Sequence, residues 1–172
     1  MADDSILIRP LAEGDSIPAI TALLHSAYAS LARDGFRYVA SHQDDDTTRK
    51  RLTSGLPFVA EMRGLLVGTV TLYKPSSDLS CEWYSQPGVF RFGQFAVRPD
   101  LQRRGIGLAL FKQVETTAIA LDAAELALDT ADGAHHLRRW YERLGFRFIE
   151  FVSWNQTNYR SVILSKKLRA NA

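Results

Sequence analysis

A strand, a glycine-containing turn and a long amphipathic helix follow one another between residues 90 and 121. Residues 90–97 read as a strand closed by Pro99, and apolar residues at helical spacing predict a helix over about 101–121. A turn that enters a helix in this way aims several main-chain N–H groups at one point, at the positive end of the helix dipole. Because Gly105 and Gly107 lack a Cβ, a ligand can approach the main chain there. We therefore predict a phosphate-binding site at this turn.

The length and composition favour an ordinary globular chain. With 172 residues and 46% hydrophobic content, it has room for one domain, which we place at residues 1–172. A net charge of +2 is too small to favour nucleic acid as a partner. The single cysteine, Cys81, fits a reducing cytoplasm. No signal peptide or membrane-length apolar run is evident, so we expect a cytoplasmic location and no membrane partner.

Helix and strand signals alternate along the whole chain. Their order, β-α-α-β-β-β-α-β-α-β-β, predicts an α/β domain with a mixed sheet and helices on both faces. Asp15 or Ser16 is expected to cap the first helix, Asp132 the last helix, and Gly145 to end that helix. The predicted strands are 6–10, 58–62, 66–73, 90–97, 126–128, 146–152 and 159–168, the second helix is 47–53, and 75–87 is expected to be a loop.

Two motifs carry a family resemblance. The turn Gln102-Arg103-Arg104-Gly105-Ile106-Gly107 matches the Q/R-x-x-G-x-G/A signature of the GNAT N-acetyltransferase superfamily. The segment Trp140–Phe146 looks like the Tyr-x-x-x-Gly-Phe helix end of the same superfamily, and the order of elements agrees. The resemblance implies a single GNAT-like domain: a mixed, mostly antiparallel sheet of about six to seven strands, splayed at the cofactor site and flanked by about four helices.

A dinucleotide-binding turn is the competing interpretation of the glycines. That fingerprint requires G-x-G-x-x-G/A, and Leu110 occupies the third glycine position here. The element order differs as well, so we reject the dinucleotide interpretation.

The resemblance implies acetyl-CoA as cosubstrate. Main-chain amides of the turn would hold its pyrophosphate beside the arginines, the strand before the turn would pair with its pantetheine arm, and two residues of the next strand would lie near it. The residues implied are Phe95, Ala96, Val97, Gln102, Arg103, Arg104, Gly105, Ile106, Gly107, Leu108, Asp129 and Thr130.

Tyr141 is the catalytic side chain that the resemblance implies. A tyrosine hydroxyl can hydrogen-bond and protonate a leaving thiolate, whose thiol has a pKa of about 8.5. The alternative is a core tyrosine whose hydroxyl is satisfied within the protein, because Leu137, Trp140, Tyr141 and Leu144 form one apolar face.

No general base can be assigned from the sequence. Many relatives use a glutamate on the strand equivalent to 90–97, where this chain has Arg91 and Gln94 instead. Glu61 and Glu82 are candidates, each with the alternative of a surface carboxylate, and a water chain would also serve. Relatives often carry an asparagine where Gly133-Ala134-His135-His136 stands; one of the histidines could replace it, and we expect no metal site.

The resemblance places the acceptor pocket among aromatic residues, namely Tyr28, Phe36, Tyr38, Tyr84, Trp154, Asn158 and Tyr159. The alternative is that these side chains only pack on the sheet. Few acids accompany them, which argues against a polyamine acceptor. We expect direct transfer of an acetyl group to the primary amine of a small molecule or peptide in a ternary complex, and the resemblance allows a homodimer. The alternatives are a non-catalytic acyl-CoA sensor or an interaction domain without cofactor.

Overall fold

A computed structural model describes residues 4–77 and 80–168 of the chain. The strands are β1 (Ile6–Pro10), β2 (Leu56–Met62), β3 (Leu65–Tyr73), β4 (Val89–Val97), β5 (Glu125–Ala131), β6 (Arg147–Val152) and β7 (Ser161–Lys167). The helices are α1 (Ile17–Arg33), α2 (Asp45–Thr53), α3 (Glu82–Ser85), α4 (Ile106–Ala120) and α5 (His135–Arg143). None of the helices in the described part combines the length and apolar character that a membrane crossing requires.

The seven strands form one sheet in the order β1-β2-β3-β4-β5-β7-β6. Every neighbouring pair is antiparallel except β4 and β5, which run parallel. These two strands pair only from Val89 and Glu125 to Arg91 and Ala127, and beyond that point they share no pairing. The predicted α/β fold, with a mostly antiparallel sheet splayed at its centre, is confirmed.

The two faces of the sheet are covered by different helices. On one face α4 and α5 pack over the main core, which includes Leu110, Val114 and Tyr141. On the other face Ile20 and Leu24 of α1 pack with Leu52 of α2, and α3 contributes Tyr84 to a separate cluster. The strands contribute apolar side chains to the clusters on both faces, because successive side chains of a strand point to opposite faces.

A β-bulge interrupts β4 where it leaves β5. Thr69 pairs with Ala96 and Thr71 with Gly93, so two residues of β4, Gln94 and Phe95, lie opposite one residue of β3. Gln94 has a φ of 50°, which few residues other than glycine adopt. Bulges redirect side chains and bend a strand. Here the bulge lies at the start of the gap between β4 and β5.

Two predictions of element extent were wrong. The helix expected from 101 begins at Ile106, because 99–101 form a 3₁₀ turn and Arg103 and Gly105 have φ values of 63° and 85°. The loop predicted at 75–87 contains α3, a single turn that is too short for apolar periodicity to reveal.

The capping predictions had mixed outcomes. Ser16, rather than Asp15, caps α1 by accepting a hydrogen bond from the Ala19 N–H. Asp132 does not cap α5, because its carboxylate accepts hydrogen bonds from Arg138 and Arg160 instead. Gly145 follows the end of α5 with a φ of 97°, as predicted.

Candidate active site

The turn before α4 presents a run of free main-chain donors. In the described part of the chain, the amide N–H groups of residues 103–108 have no hydrogen-bond acceptor, and the N-cap residue Gly105 supplies none. Arg103 and Arg104 are exposed and make no ion pair with a described residue. Unpartnered amides at a helix N-terminus next to two cations are suited to bind a phosphate group.

A cavity of about 520 Å³ extends from this turn to the gap between β4 and β5. Residues from α1, β4, the turn and α5 line it. The predicted site residues among them are Tyr28, Phe95, Ala96, Val97, Gln102, Arg103, Gly105, Gly107, Leu108 and Tyr141.

Four predicted cofactor residues lie outside the cavity lining. The Arg104 side chain is exposed, and the Ile106 side chain is buried in the core, which leaves only its main-chain amide in the turn. The hydroxyls of Thr130 and Tyr38 are 2.8 Å apart, and the Asp129 carboxylate bonds to two aromatic side chains. The structure thus places the side chains of Asp129 and Thr130 among the aromatic residues.

Gly107 faces the cavity wall formed by β4. A Cβ at this position would lie 3.7 Å from Phe95 Cζ and Val97 Cγ2, which is ordinary contact. Larger side chains would therefore project where the strand and the turn meet. The glycine keeps the main chain of the turn accessible to a ligand.

Main-chain groups of β4 line the gap past Arg91. The carbonyl of Phe95 accepts a hydrogen bond from the Tyr28 hydroxyl at 3.0 Å, and the Val97 carbonyl accepts one from Gln102 Nε2 at 3.2 Å. These two contacts fix the strand between α1 and the turn, in the stretch where β5 no longer pairs with it.

Tyr141 lines the cavity with a hydroxyl that has no protein partner. Its ring packs against Phe92, Trp140 and Phe146, whereas no described residue hydrogen-bonds to its hydroxyl. Four of the other tyrosine hydroxyls are bonded, those of Tyr28, Tyr38, Tyr73 and Tyr84. Burial raises the pKa of Tyr141 well above its usual value, so the hydroxyl keeps its proton and remains a donor.

We call the side chains of Tyr28, Phe36, Tyr38, Tyr84, Trp154 and Tyr159 the aromatic cluster. Tyr38 lies between Tyr28 and Tyr159, with ring centroids 5.2 and 4.9 Å apart. Tyr84 and Trp154 stack with a centroid distance of 6.3 Å. The structure therefore brings the predicted acceptor residues together in two groups.

Asp129 joins these groups to β5. Its carboxylate accepts the Tyr84 hydroxyl at 2.7 Å and the Trp154 indole N–H at 3.1 Å. The neighbouring Thr130 bonds to Tyr38. Asp129 lies two residues beyond the last β4–β5 pair, so a carboxylate stands where the gap opens.

The remaining candidates have other surroundings. Asn158 accepts from the Arg37 N–H and donates to the Gly35 carbonyl, so its amide ties two loops together. Glu61 bonds to Arg9 at the edge of the sheet, and Glu82 is exposed at the start of α3. Neither glutamate lines the cavity.

Sequence reasoning missed much of the cavity lining. Trp140 and Arg143 of α5 line it, and their helical spacing is a signal that could have found them; His136, one of the two histidines considered in place of the asparagine, lines it as well. His135, by contrast, does not line it. Among residues 4–77 and 80–168, no three His, Cys, Asp or Glu side chains are grouped so as to hold a metal ion.

Comparison with known proteins decides the family. The profile of the acetyltransferase (GNAT) family matches residues 21–146. The chain is 33% identical over 125 residues to S-(2-succino)cysteine N-acetyltransferase of Bacillus subtilis (strain 168), covering 70% of this chain and 72% of that relative. The chain belongs to the GNAT acetyltransferase family. It is an N-acetyltransferase by family, and acetyl-CoA is its acyl donor.

Solved structures share the GNAT fold. The ribosomal-protein-S18-alanine N-acetyltransferase from Escherichia coli superposes with a TM-score of 0.72 at 18% identity, covering 98% of this chain and 97% of its own. A GNAT family acetyltransferase from Elizabethkingia anophelis with acetyl-CoA bound has a TM-score of 0.67 at 21% identity, covering 96% and 100%.

Proposed function

We propose that this GNAT enzyme transfers the acetyl group of acetyl-CoA directly to the primary amine of a small acceptor, within a ternary complex. The unpartnered Tyr141 hydroxyl carries the proposal: it belongs to the lining of the same cavity as the turn with its free amides. The rest of the side chain is buried in the core, and the hydroxyl is left to bond a ligand in the cavity.

Different groups of the chain bind different parts of the donor. The amides of residues 103–108 and the two arginines of the turn suit the pyrophosphate, and the main chain of Phe95–Val97 suits the pantetheine arm. Acetyl-CoA supplies an acetyl group already activated as a thioester. Strand amides in this stretch would polarise the thioester carbonyl, and most of the rate would come from positioning.

Asp129 is the proposed acceptor of the amine proton. An ammonium must lose a proton before its nitrogen can attack, and Asp129 is the carboxylate at the opening of the gap. The nitrogen then bonds to the acetyl carbon while the carbon–sulfur bond breaks. The second proton that the nitrogen loses neutralises the thiolate, and Asp129 returns its proton to solvent.

Tyr141 is proposed to stabilise the leaving sulfur. Burial raises the pKa of Tyr141, and a thiol with a pKa of about 8.5 is the stronger acid. Donation of a hydrogen bond to the sulfur is therefore favoured over complete transfer of the tyrosine proton. This refines the role that the sequence suggested.

We also propose an acceptor class, a cellular location and an oligomeric state for the enzyme. Its relative acts on S-(2-succino)cysteine, which supports an amino acid derivative as acceptor. We place the enzyme in the cytoplasm, where the free thiol of Cys81 stays reduced; burial raises the pKa of Cys81 to about 11. The homodimer that the resemblance allows is testable by sedimentation at two concentrations.

Release of free thiol from acetyl-CoA tests this function. We expect thiol release to require an added primary amine and to match the N-acetylated product, identified by mass spectrometry, mole for mole. Retained CoA binding with no thiol release for any amine of a broad panel would contradict the proposal and indicate the non-catalytic sensor.

A further inference from the structure

Two cations on the acceptor side have no carboxylate partner. Every lysine or arginine in the described ranges that lacks an ion pair is exposed, except Arg51 of α2 and Arg91 of β4, which are partly buried. A desolvated charge without a counter-charge costs free energy, so proteins normally pair it. The missing counter-charge beside these two arginines therefore requires a physical explanation.

Arg91 is held by aromatic rings in a way that leaves its donors free. Its guanidinium carbon lies 4.2 Å from the ring centroid of Tyr73 and 5.4 Å from that of Tyr84. Its Nε is buried without a hydrogen-bond partner. A guanidinium stacked on rings keeps its N–H edge available, and that edge matches a carboxylate.

Arg51 is held by neutral amides. It donates to Gln43 Oε1 at 2.8 Å, and the side-chain amide of Gln94 lies 3.1 Å from its guanidinium. Both glutamines are 3% exposed. The bulge in β4 thus serves to place an amide against Arg51 without neutralising it.

Two tyrosines, Tyr73 and Tyr84, link these cations to Asp129. Tyr73 accompanies both arginines, because its ring lies under Arg91 and its hydroxyl donates to the Arg51 carbonyl. Tyr84 lies near Arg91 and bonds to Asp129. This face of the sheet therefore carries two guanidinium groups without an ion-pair partner in the described ranges and the Asp129 carboxylate around aromatic side chains, and the Glu150 carboxylate lies 3.5 Å from the Cys81 thiol.

We propose that the acceptor is an amino acid with a carboxylate in its side chain as well as at Cα, and that Arg51 and Arg91 bind its carboxylates. This inference rests on the proposed amine acetylation and names its substrate class. The carboxylates of such an acceptor complement the two unpaired guanidinium groups, and its amine is directed to Asp129. The arginines select the acceptor by charge.

Binding of S-(2-succino)cysteine to the CoA-loaded enzyme tests the inference by calorimetry. We expect Arg51→Gln and Arg91→Gln each to weaken binding about 100-fold. Arg49→Gln is the matched control, because Arg49 lies on the same helix as Arg51, is 54% exposed and pairs with Asp46; its binding should match the wild type. S-(2-succino)cysteamine lacks the Cα carboxylate, and S-ethylcysteine lacks the succinate. Each should bind the wild type more weakly than S-(2-succino)cysteine does, and the arginine substitutions should weaken its binding by a smaller factor.

Stability separates this role from a structural one. Because Arg91 makes, within the described ranges, no ion pair that a substitution could break, the Arg91→Met variant should melt at or above the wild-type temperature. Its affinity for the acceptor should nevertheless be lost. Binding by the wild type that is independent of both arginines would overturn the inference, and so would equal binding of S-ethylcysteine. Arginine-dependent binding without turnover would support the inference and contradict acetyl transfer.

Discussion

Tyr141 and Asp129 belong to opposite faces of the sheet, with the gap between β4 and β5 separating them. Tyr141, on α5, packs into the main core, and Asp129 bonds to Tyr84 and Trp154 on the other face. One residue offers a hydroxyl donor without a partner, and the other offers a carboxylate. At the residue scale, donor and acceptor substrates would thus meet from two sides of one gap.

Tyr141→Phe should lower kcat about 100-fold while the Kd for CoA changes less than about twofold. The reason is that the hydroxyl acts on the leaving sulfur and the ring does the packing. Because no protein hydrogen bond is lost, the melting temperature should stay within about 2 °C of the wild type. Tyr73→Phe, which removes a bond to the Arg51 carbonyl, is the stability comparison and should melt lower. Full turnover by Tyr141→Phe would refute the assigned role.

Asp129→Asn should lower kcat at neutral pH about 100-fold, because the amine then lacks a proton acceptor. Its rate should rise about tenfold per pH unit until the acceptor amine is deprotonated, as free amine replaces the missing base. The measurement is a pH profile of kcat for both proteins, with acetyl-CoA saturating. Parallel profiles for variant and wild type would show that another group takes the proton.

At the scale of the elements, the turn into α4 and the bulge in β4 shape the site. Positive φ angles at Arg103 and Gly105 turn the main chain so that successive N–H groups stay unpaired. The bulge at Gln94 occurs where β4 leaves β5. Both are departures from regular structure, and each exposes main chain to the cavity.

Substitutions at Gly107 test whether the donor needs the space beside this residue, separately from any effect on the stability of the helix. Gly107→Ala adds a Cβ in ordinary contact with Phe95 and Val97, so CoA affinity should change little. Gly107→Val adds methyl groups at the junction of turn and strand, and should weaken CoA binding more than about tenfold. Calorimetry measures both, and melting curves check that each variant folds. Equal affinities would place CoA away from this turn.

At the scale of the whole molecule, β1–β4 and β5–β7 are joined in the sheet only through Val89–Arg91 and Glu125–Ala127. A donor held between β4 and β5 would therefore connect the two halves. Free main chain in the gap exchanges its amide hydrogens readily until a ligand covers it.

CoA at about 100 times its Kd should stabilise the fold by about 2.7 kcal/mol, which is about 5–10 °C in melting temperature for a chain of this size. Hydrogen exchange should slow in 92–97 and 103–108 on binding, whereas β1, at the far edge, should be unaffected. Protection confined to the surface away from these segments would contradict the proposed donor site.

Motif and periodicity predicted the fold class, the strand order along the chain and the turn at Gly105, because these depend on local sequence and on a family signature. They did not predict α3, the bulge at Gln94 or the environment of Asp129. Those features arise from contacts distant in sequence, such as Asp129 with Tyr84 and Trp154. The unpaired state of Arg51 and Arg91 is likewise visible only when all neighbours are known.

A crystal structure of the enzyme with CoA and S-(2-succino)cysteine tests the central claim most directly. We predict pyrophosphate on the amides of 103–108, the CoA sulfur within about 3.5 Å of the Tyr141 hydroxyl, and the acceptor amine beside Asp129. A CoA sulfur outside the gap between β4 and β5, or an amine remote from Asp129, would contradict it.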